Sequence, residues 1–196
     1  MRAELGVDQW RGWHDAAFPA SSWRCVDGAF EAIADAPRVD LVSRAPYRNF
    51  RFEFEFALPA AGNSGVLYRV DETAALAWHS GPEMQLLDDA GHPDGREPTT
   101  CNGALYALAA PEVATPVKPG VFIHGEVRVQ GTLIEHWLAG RLVLRADLAD
   151  PALLARIGRS KFAAFDGFAR RQDGHLVLQH HGDAVRFRRL CIEPTD

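Results

Sequence analysis

The chain has 196 residues, long enough for one domain with a substantial core. Its 21 basic and 26 acidic residues leave a formal charge of −5, which argues against an electrostatic nucleic-acid surface. No apolar run approaches the ~20 residues that span a bilayer, and the first residues lack a basic segment followed by an apolar one, so a cytoplasmic protein with no membrane partner is expected.

In chain order, Trp23 to Ile33 carries apolar runs around Asp27-Gly28, a hairpin or bulge signal. From Asn49 to Leu58, Phe50, Phe52, Phe54, Phe56 and Leu58 alternate with Arg51, Glu53 and Glu55, predicting a strand with one core face and one wet face. Gly62 to Arg69 and Gly81 to Leu87 read as two further strands. Asp88 to Cys101, rich in Asp, Gly and Pro, is expected to be a long functional loop. Val121 to Gln130, Leu133 to Leu138 and Leu142 to Leu148 form a predicted meander with turns at Gln130-Gly131 and Ala139-Gly140. Asp150 to Gly158 carries a short-helix signature: a capping Asp150, Pro151 in the first position and Gly158 at the stop. His175 to Gln179 and Ala184 to Glu193 close the chain around His180-His181-Gly182-Asp183. The expectation is an all-β, two-sheet sandwich with one short helix near 150–158, as a single domain over 1–196.

Polar residues stand at alternate positions in two of these strands, and side chains alternate faces with a period of two. Arg69, Glu83 and Gln85 are therefore expected side by side on one face, as the floor of a site. A solvent-facing polar edge, with Arg69 paired to Glu83, is the plainer reading. Asp88, Asp89 and His92, with Asp94, form an oxygen-rich cluster that could hold Ca²⁺, Mg²⁺ or Mn²⁺, or simply build an Asx turn. In Glu135-His136-Trp137-Leu138, His136 and Trp137 must face opposite sides, and either could reach a cleft. Gln179 and His181 share a face, and the His-Gly-Asp turn suits acid–base work or a metal. Three scattered cysteines, Cys25, Cys101 and Cys191, match no metal or redox spacing. No nucleophile elbow, phosphate loop, zincin motif or dinucleotide fingerprint is present.

With these residues in view, the chain resembles the 3-keto-disaccharide hydrolase family. The blocks that carry the resemblance are Gly62-Asn63-Ser64-Gly65 with Arg69, Gly81-Pro82-Glu83-x-Gln85-x-Leu87-Asp88-Asp89, His92-Pro93-Asp94 and Gly103-Ala104-Leu105-Tyr106. Glu135 to Leu138, Ser160-Lys161-Phe162 and Leu178-Gln179-x-His181-Gly182-Asp183 continue it in order. Two positions depart: Phe122-Ile123 where the family usually has Trp-Asn, and Ala139 where it usually has Asn before the turn glycine. Because Ala tolerates positive φ poorly, a reshaped hairpin is expected there.

The resemblance implies a concanavalin A-like jelly-roll sandwich and a small carbohydrate substrate, a glycoside already oxidised to a ketone at C3. It implies cleavage by C2 deprotonation, β-elimination and water addition. In that scheme Glu83 or His181 serves as acid or base and Arg69 stabilises charge. Asn63, Gln85, Gln179, His136, Trp137 and Tyr106 would bind the sugar, with a divalent cation near Asp88, Asp89 or His92 as an optional cofactor. The alternatives are a non-catalytic carbohydrate-binding module on the same fold, or a sandwich with a degenerate site; homo-oligomerisation is left open.

Overall fold

The computed structural model describes residues 1–196. Its strands are β1 (Ala3–Glu4), β2 (Trp10–Gly12), β3 (Trp23–Val26), β4 (Ala29–Ala32), β5 (Leu41–Tyr47), β6 (Phe50–Ala57) and β7 (Asn63–Val70). They continue with β8 (Glu83–Leu87), β9 (Ile123–Gln130), β10 (Leu133–Leu138), β11 (Arg141–Asp147), β12 (Gly174–Leu178) and β13 (Arg186–Pro194). An eight-stranded sheet runs β11-β10-β9-β6-β13-β4-β3, with β1 also on β13, and a five-stranded sheet runs β2-β5-β12-β7-β8. Every pairing between these strands is antiparallel. This is the two-sheet sandwich that the alternation predicted, with the jelly-roll character that the family resemblance implied. No helix is long and apolar enough to cross a membrane.

The core lies between the sheets. Phe50, Phe52, Phe54 and Phe56 of β6 point into it, against Val66 and Tyr68 of β7, Met84 and Leu86 of β8, and Leu176 and Leu178 of β12. The short helix α1 (Pro151–Ile157) is capped as expected, the Asp150 carboxylate accepting from the Ala152 N–H at 3.1 Å. One pairing differs from a simple reading of the C-terminus. β12 lies in the small sheet and β13 in the large one, so His180 to Asp183 is a crossing between sheets, not a hairpin turn.

A register shift between His136 and Trp137 interrupts the β10–β11 pairing just before the hairpin at Ala139. Ala139 (φ 49°) and Gly140 (φ 74°) both adopt left-handed backbone, and β10 and β11 remain paired out to Leu138↔Arg141. The hairpin holds Ala in a region that costs an L-residue ~1–2 kcal/mol. Ala139→Gly is therefore expected to raise stability by about 0.5–1 kcal/mol, the relief being partly offset by a freer unfolded chain. A higher urea midpoint with an unchanged slope would show it; an unchanged midpoint would mean that the strain is absent.

Candidate active site

The outer face of the small sheet carries two kinds of residue. Toward one end it is apolar, with Val42, Leu67, Val70 and Val177 under Ala77, Trp13 and Trp78. Toward the other it turns polar. Glu83 of β8 pairs with Leu67, Gln85 with Gly65 and Leu87 with Asn63, so Asn63, Glu83 and Gln85 share this face. On the next strand, the Gln179 N–H donates to the Gly65 carbonyl at 3.0 Å, which continues the ladder and sets Gln179 beside Gly65. Asn63, Glu83, Gln85 and Gln179 thus form the floor of a cavity of about 260 Å³. Trp78, Tyr106 and Lys161 wall one side, and His181 stands on the rim.

Three buried amide atoms in this cavity lack a partner: Asn63 Oδ1, Gln85 Nε2 and Gln179 Oε1. An unmade hydrogen bond at a buried polar atom costs ~1–3 kcal/mol, so three converging on one cavity mark a place built to hold a polar ligand. A larger depression of about 810 Å³ lies near Arg11, Arg44 and Arg171. There, Arg11 pairs with Glu72, Arg171 with Asp71, and Arg44 donates to the Asp8 and Ala16 carbonyls. Its charges are already satisfied and its walls open, so the smaller cavity is the better candidate.

Glu83 lies over Gly65, where a Cβ would come 2.8 Å from its Cδ. Burial pushes its carboxyl up to about 8, an effect that the nearby Lys161 charge offsets in part and Asp40 reinforces. Glu83 is therefore largely protonated at neutral pH. The Lys161 Nζ stands 4.4 Å from the Tyr106 ring centroid, 4.8 Å from that of Trp78 and 5.3 Å from that of Phe162. Burial lowers its pKa, while Glu83 and Asp94 favour the ammonium. Cation–π attraction of ~0.5–2 kcal/mol helps to hold it in this cage. Burial and then the neighbouring Arg38 charge lower the His181 pKa, favouring neutral imidazole, against the pull of Asp183. The turn that presents His181 is fixed at both sides: Asp183 accepts from the Asn63 N–H at 3.0 Å, and His180 Nδ1 accepts from the Gly182 N–H at 3.1 Å.

Several expected site residues lie elsewhere. Arg69 is not on the Glu83 face. A β-bulge sets Tyr68 and Arg69 against the single residue Leu176, since the register jumps from Val177↔Leu67 to His175↔Val70. With φ 53°, Arg69 breaks the period-two alternation, and its guanidinium donates to the Arg48 carbonyl at 3.0 Å and the Gly131 carbonyl at 2.6 Å. It stitches together the turns at one end of the sandwich. His136 points into the core, where it meets the Tyr68 hydroxyl at 3.0 Å and the Gly103 carbonyl at 2.9 Å. Trp137, on the opposite face of the large sheet, donates to Glu135 and lies under Arg128 at 4.2 Å. Neither reaches the cavity.

Asp88, Asp89 and His92 are engaged in building their loop. Asp88 accepts from the Ala61 N–H at 2.8 Å, Asp89 from the Asn102 N–H at 2.7 Å, and His92 from the Asp94 N–H at 3.1 Å. Glu53, His124 and Glu126 bring potential metal ligands within 4.8 Å of one another on the outer face of the large sheet. Their oxygens already accept from guanidiniums: Glu126 from Arg51 at 2.6 Å and from Arg128, and Glu53 from Arg51 at 2.9 Å. That cluster is a charge ladder.

Burial holds the His136 pKa down to about 4, against 6.5 when free. A base with a lowered folded pKa stabilises the fold fully above its unfolded value and loses that contribution as pH falls. Stability is thus expected to drop by up to about 3 kcal/mol between pH 6.5 and 4. Urea midpoints across that range should show the loss, and His136→Asn should flatten it; equal slopes in both proteins would overturn the assignment.

Residues 5–193 match the family model described as the 3-keto-alpha-glucoside-1,2-lyase-like domain. The chain belongs to that family. It is 26% identical to a protein of Bacteroides thetaiotaomicron named 3-keto-disaccharide hydrolase, over 95% of this chain and 74% of the relative. A crystal structure from Parabacteroides distasonis, provisionally assigned as a glycosyl hydrolase, superposes with a TM-score of 0.89 at 26% identity, covering 97% of this chain and 90% of that one. The carbohydrate-binding module CBM66 of Bacillus subtilis shares the fold, with a TM-score of 0.61 at 16% identity over 94% of this chain and 95% of that one. Membership in the 3-keto-alpha-glucoside-1,2-lyase-like family supports a glycosidase-type enzyme.

Sequence reading did not find Lys161 or Trp78. Lys161 had two available signals: it is one of only two lysines in a chain whose other basic side chains are arginines, and it stands in the Ser160-Lys161-Phe162 block of the resemblance. Trp78 gave none, since nothing in Ala74 to His79 marks which face of the fold the segment crosses.

Proposed function

We propose that this protein cleaves the glycosidic bond of glycosides carrying a ketone at C3, by elimination across C1–C2 followed by water addition. The observation that carries the reading is the convergence of three unpartnered buried amide atoms with a buried carboxyl and a caged ammonium in one cavity. A lectin needs the amides. It gains nothing from desolvating Glu83 and Lys161, which costs stability.

The C3 ketone makes the C2–H acidic. Loss of that proton leaves an enolate on the C3 oxygen, and Lys161 supplies the charge that stabilises it. The enolate electrons re-form the ketone and expel the C1 substituent, whose oxygen takes the Glu83 proton. Water then adds at C1 as C2 regains a proton, the water's own proton returning to Glu83, with His181 on the rim beside them. Asn63, Gln85 and Gln179 hold the sugar hydroxyls; Trp78 and Tyr106 give the ring an apolar wall. No step above uses a divalent cation.

The test is release of aglycone from 3-keto-glucosides and 3-keto-trehalose, with and without chelator, beside the unoxidised glycosides. Release from the keto-glycosides alone, unaffected by chelator, is expected. Hydrolysis of the unoxidised glycosides would instead indicate oxocarbenium chemistry on two carboxyls, and tight sugar binding without turnover would indicate a binding module.

A further inference from the structure

Glu83 and Lys161 supply an acid and an electrophile, and a further carboxyl, Asp40, lies at the end of the β5–β12 ladder, bonded to His180 between the lining residues Gln179 and His181. In the small sheet, Val177 pairs with Val42 and Leu178 with Leu41. Leu178↔Leu41 is the last pair of that ladder, and Asp40 and Gln179 are the residues next beyond it on the two strands. The His180 N–H donates to Asp40 Oδ1 at 2.8 Å, which ties the two segments together there. Val42 and Val177 both lie on the outer face, so period-two alternation puts Asp40 on that face with Gln179. Across the sheet the row reads Asp40, Gln179, Gly65, Gln85, with Glu83 folded over the gap at Gly65. Asp40 and Glu83 thus lie on either side of the Gln179 column, their backbones three strand spacings, or ~14 Å, apart, with the Glu83 carboxyl reaching back over Gly65.

We infer that Asp40 is the base that removes the C2 proton, with Glu83 as its opposing acid across the bound sugar. This rests on the keto-glycoside reading above. Asp40 takes the C2 proton, the C2–H electron pair becomes the enolate, the leaving oxygen takes the Glu83 proton, and the hydration step returns both protons. His181 is less suited to the task, because burial and then the Arg38 charge beside it oppose its protonation. The groups set around Asp40 agree with the division of labour. Burial pushes the Asp40 carboxyl up to about 7, against the pull of the His180 N–H, and pushes Glu83 further, up to about 8, with no protein hydrogen bond favouring its ionisation. Asp40 and Glu83 are close enough for the Asp40 charge to disfavour ionisation of Glu83, so one ionised and one protonated carboxyl is the stable pairing.

The experiment separates proton removal from bond cleavage. Exchange of the C2 hydrogen of a 3-keto-glucoside in D₂O is followed by NMR alongside aglycone release. Asp40→Asn, which keeps an acceptor for the His180 N–H, should lower both by 10²-fold or more. Glu83→Gln should keep exchange within about tenfold of wild type while release of an alkyl aglycone collapses. Formate added to Asp40→Ala should restore part of the exchange, which a merely structural role would not allow. Wild-type exchange rates in Asp40→Asn, or loss of exchange in His181→Gln alone, would overturn the assignment and leave the keto-glycoside reading intact. A wild-type protein that neither exchanges nor releases would overturn both.

Discussion

Glu83→Gln is expected to lower kcat/KM for 3-keto-glycosides with alkyl or sugar aglycones by ~10²–10⁴-fold, the usual contribution of a positioned proton donor. A nitrophenyl aglycone needs less help to leave, so its loss should be much smaller. The wild-type rate should also fall as pH rises through about 8, where the buried carboxyl gives up its proton, and the variant should lack that alkaline limb. The stability sign runs the same way. A carboxyl with a raised folded pKa stabilises the protein fully below its unfolded value and loses that contribution as pH rises toward the folded one. Between pH 4.5 and about 8 the wild type should therefore weaken, and Glu83→Gln should be the more stable protein at pH 9. Equal release of alkyl aglycones by both proteins, or equal pH–stability slopes, would remove Glu83 from its role.

Gly65→Ala should cost nearly as much activity without touching an ionisable group. The added methyl would meet Glu83 at 2.8 Å from Cδ and 2.9 Å from Cγ, besides crowding Oε1, so the carboxyl has to leave its place. A loss of ~10²-fold in kcat/KM is expected from such a displacement, with ~1–3 kcal/mol of overpacking cost. Because Gly65 acts through Glu83, adding Gly65→Ala to Glu83→Gln should lower release little further. A fully active Gly65→Ala protein would show that Glu83 works from another position.

Much of the fold was legible because local periodicity reports it directly. The Phe50 to Phe56 alternation, the Asp27-Gly28 turn, the meander and the Asp150 cap are all set by neighbouring residues. Glu83, Gln85, Gln179, Asn63, Tyr106 and His181, singled out by alternation and the family resemblance, line one cavity. Arg69 was misplaced because the bulge at Tyr68-Arg69 is a property of the pairing with Leu176, which the sequence of β7 does not display. His136 and Trp137 posed a choice of face, and both faces proved to be occupied by packing and ion pairing. Asp40 was invisible for a related reason. Its neighbours say only that a strand follows, and it takes the register across β5 and β12 to bring it beside Gln179.

The segment His180 to Asp183 leaves the small sheet and enters the large one, and on the way it clasps three other parts of the chain. Its His180 N–H meets Asp40, its Gly182 carbonyl accepts from the Asp35 N–H at 3.1 Å, and Asp183 holds the Asn63 N–H. Gln179 and His181, which touch the cavity, sit on this same clasp. Occupancy of the cavity should therefore be felt far from it, as slower amide hydrogen exchange in β13 as well as β12, because opening either sheet must first release the clasp.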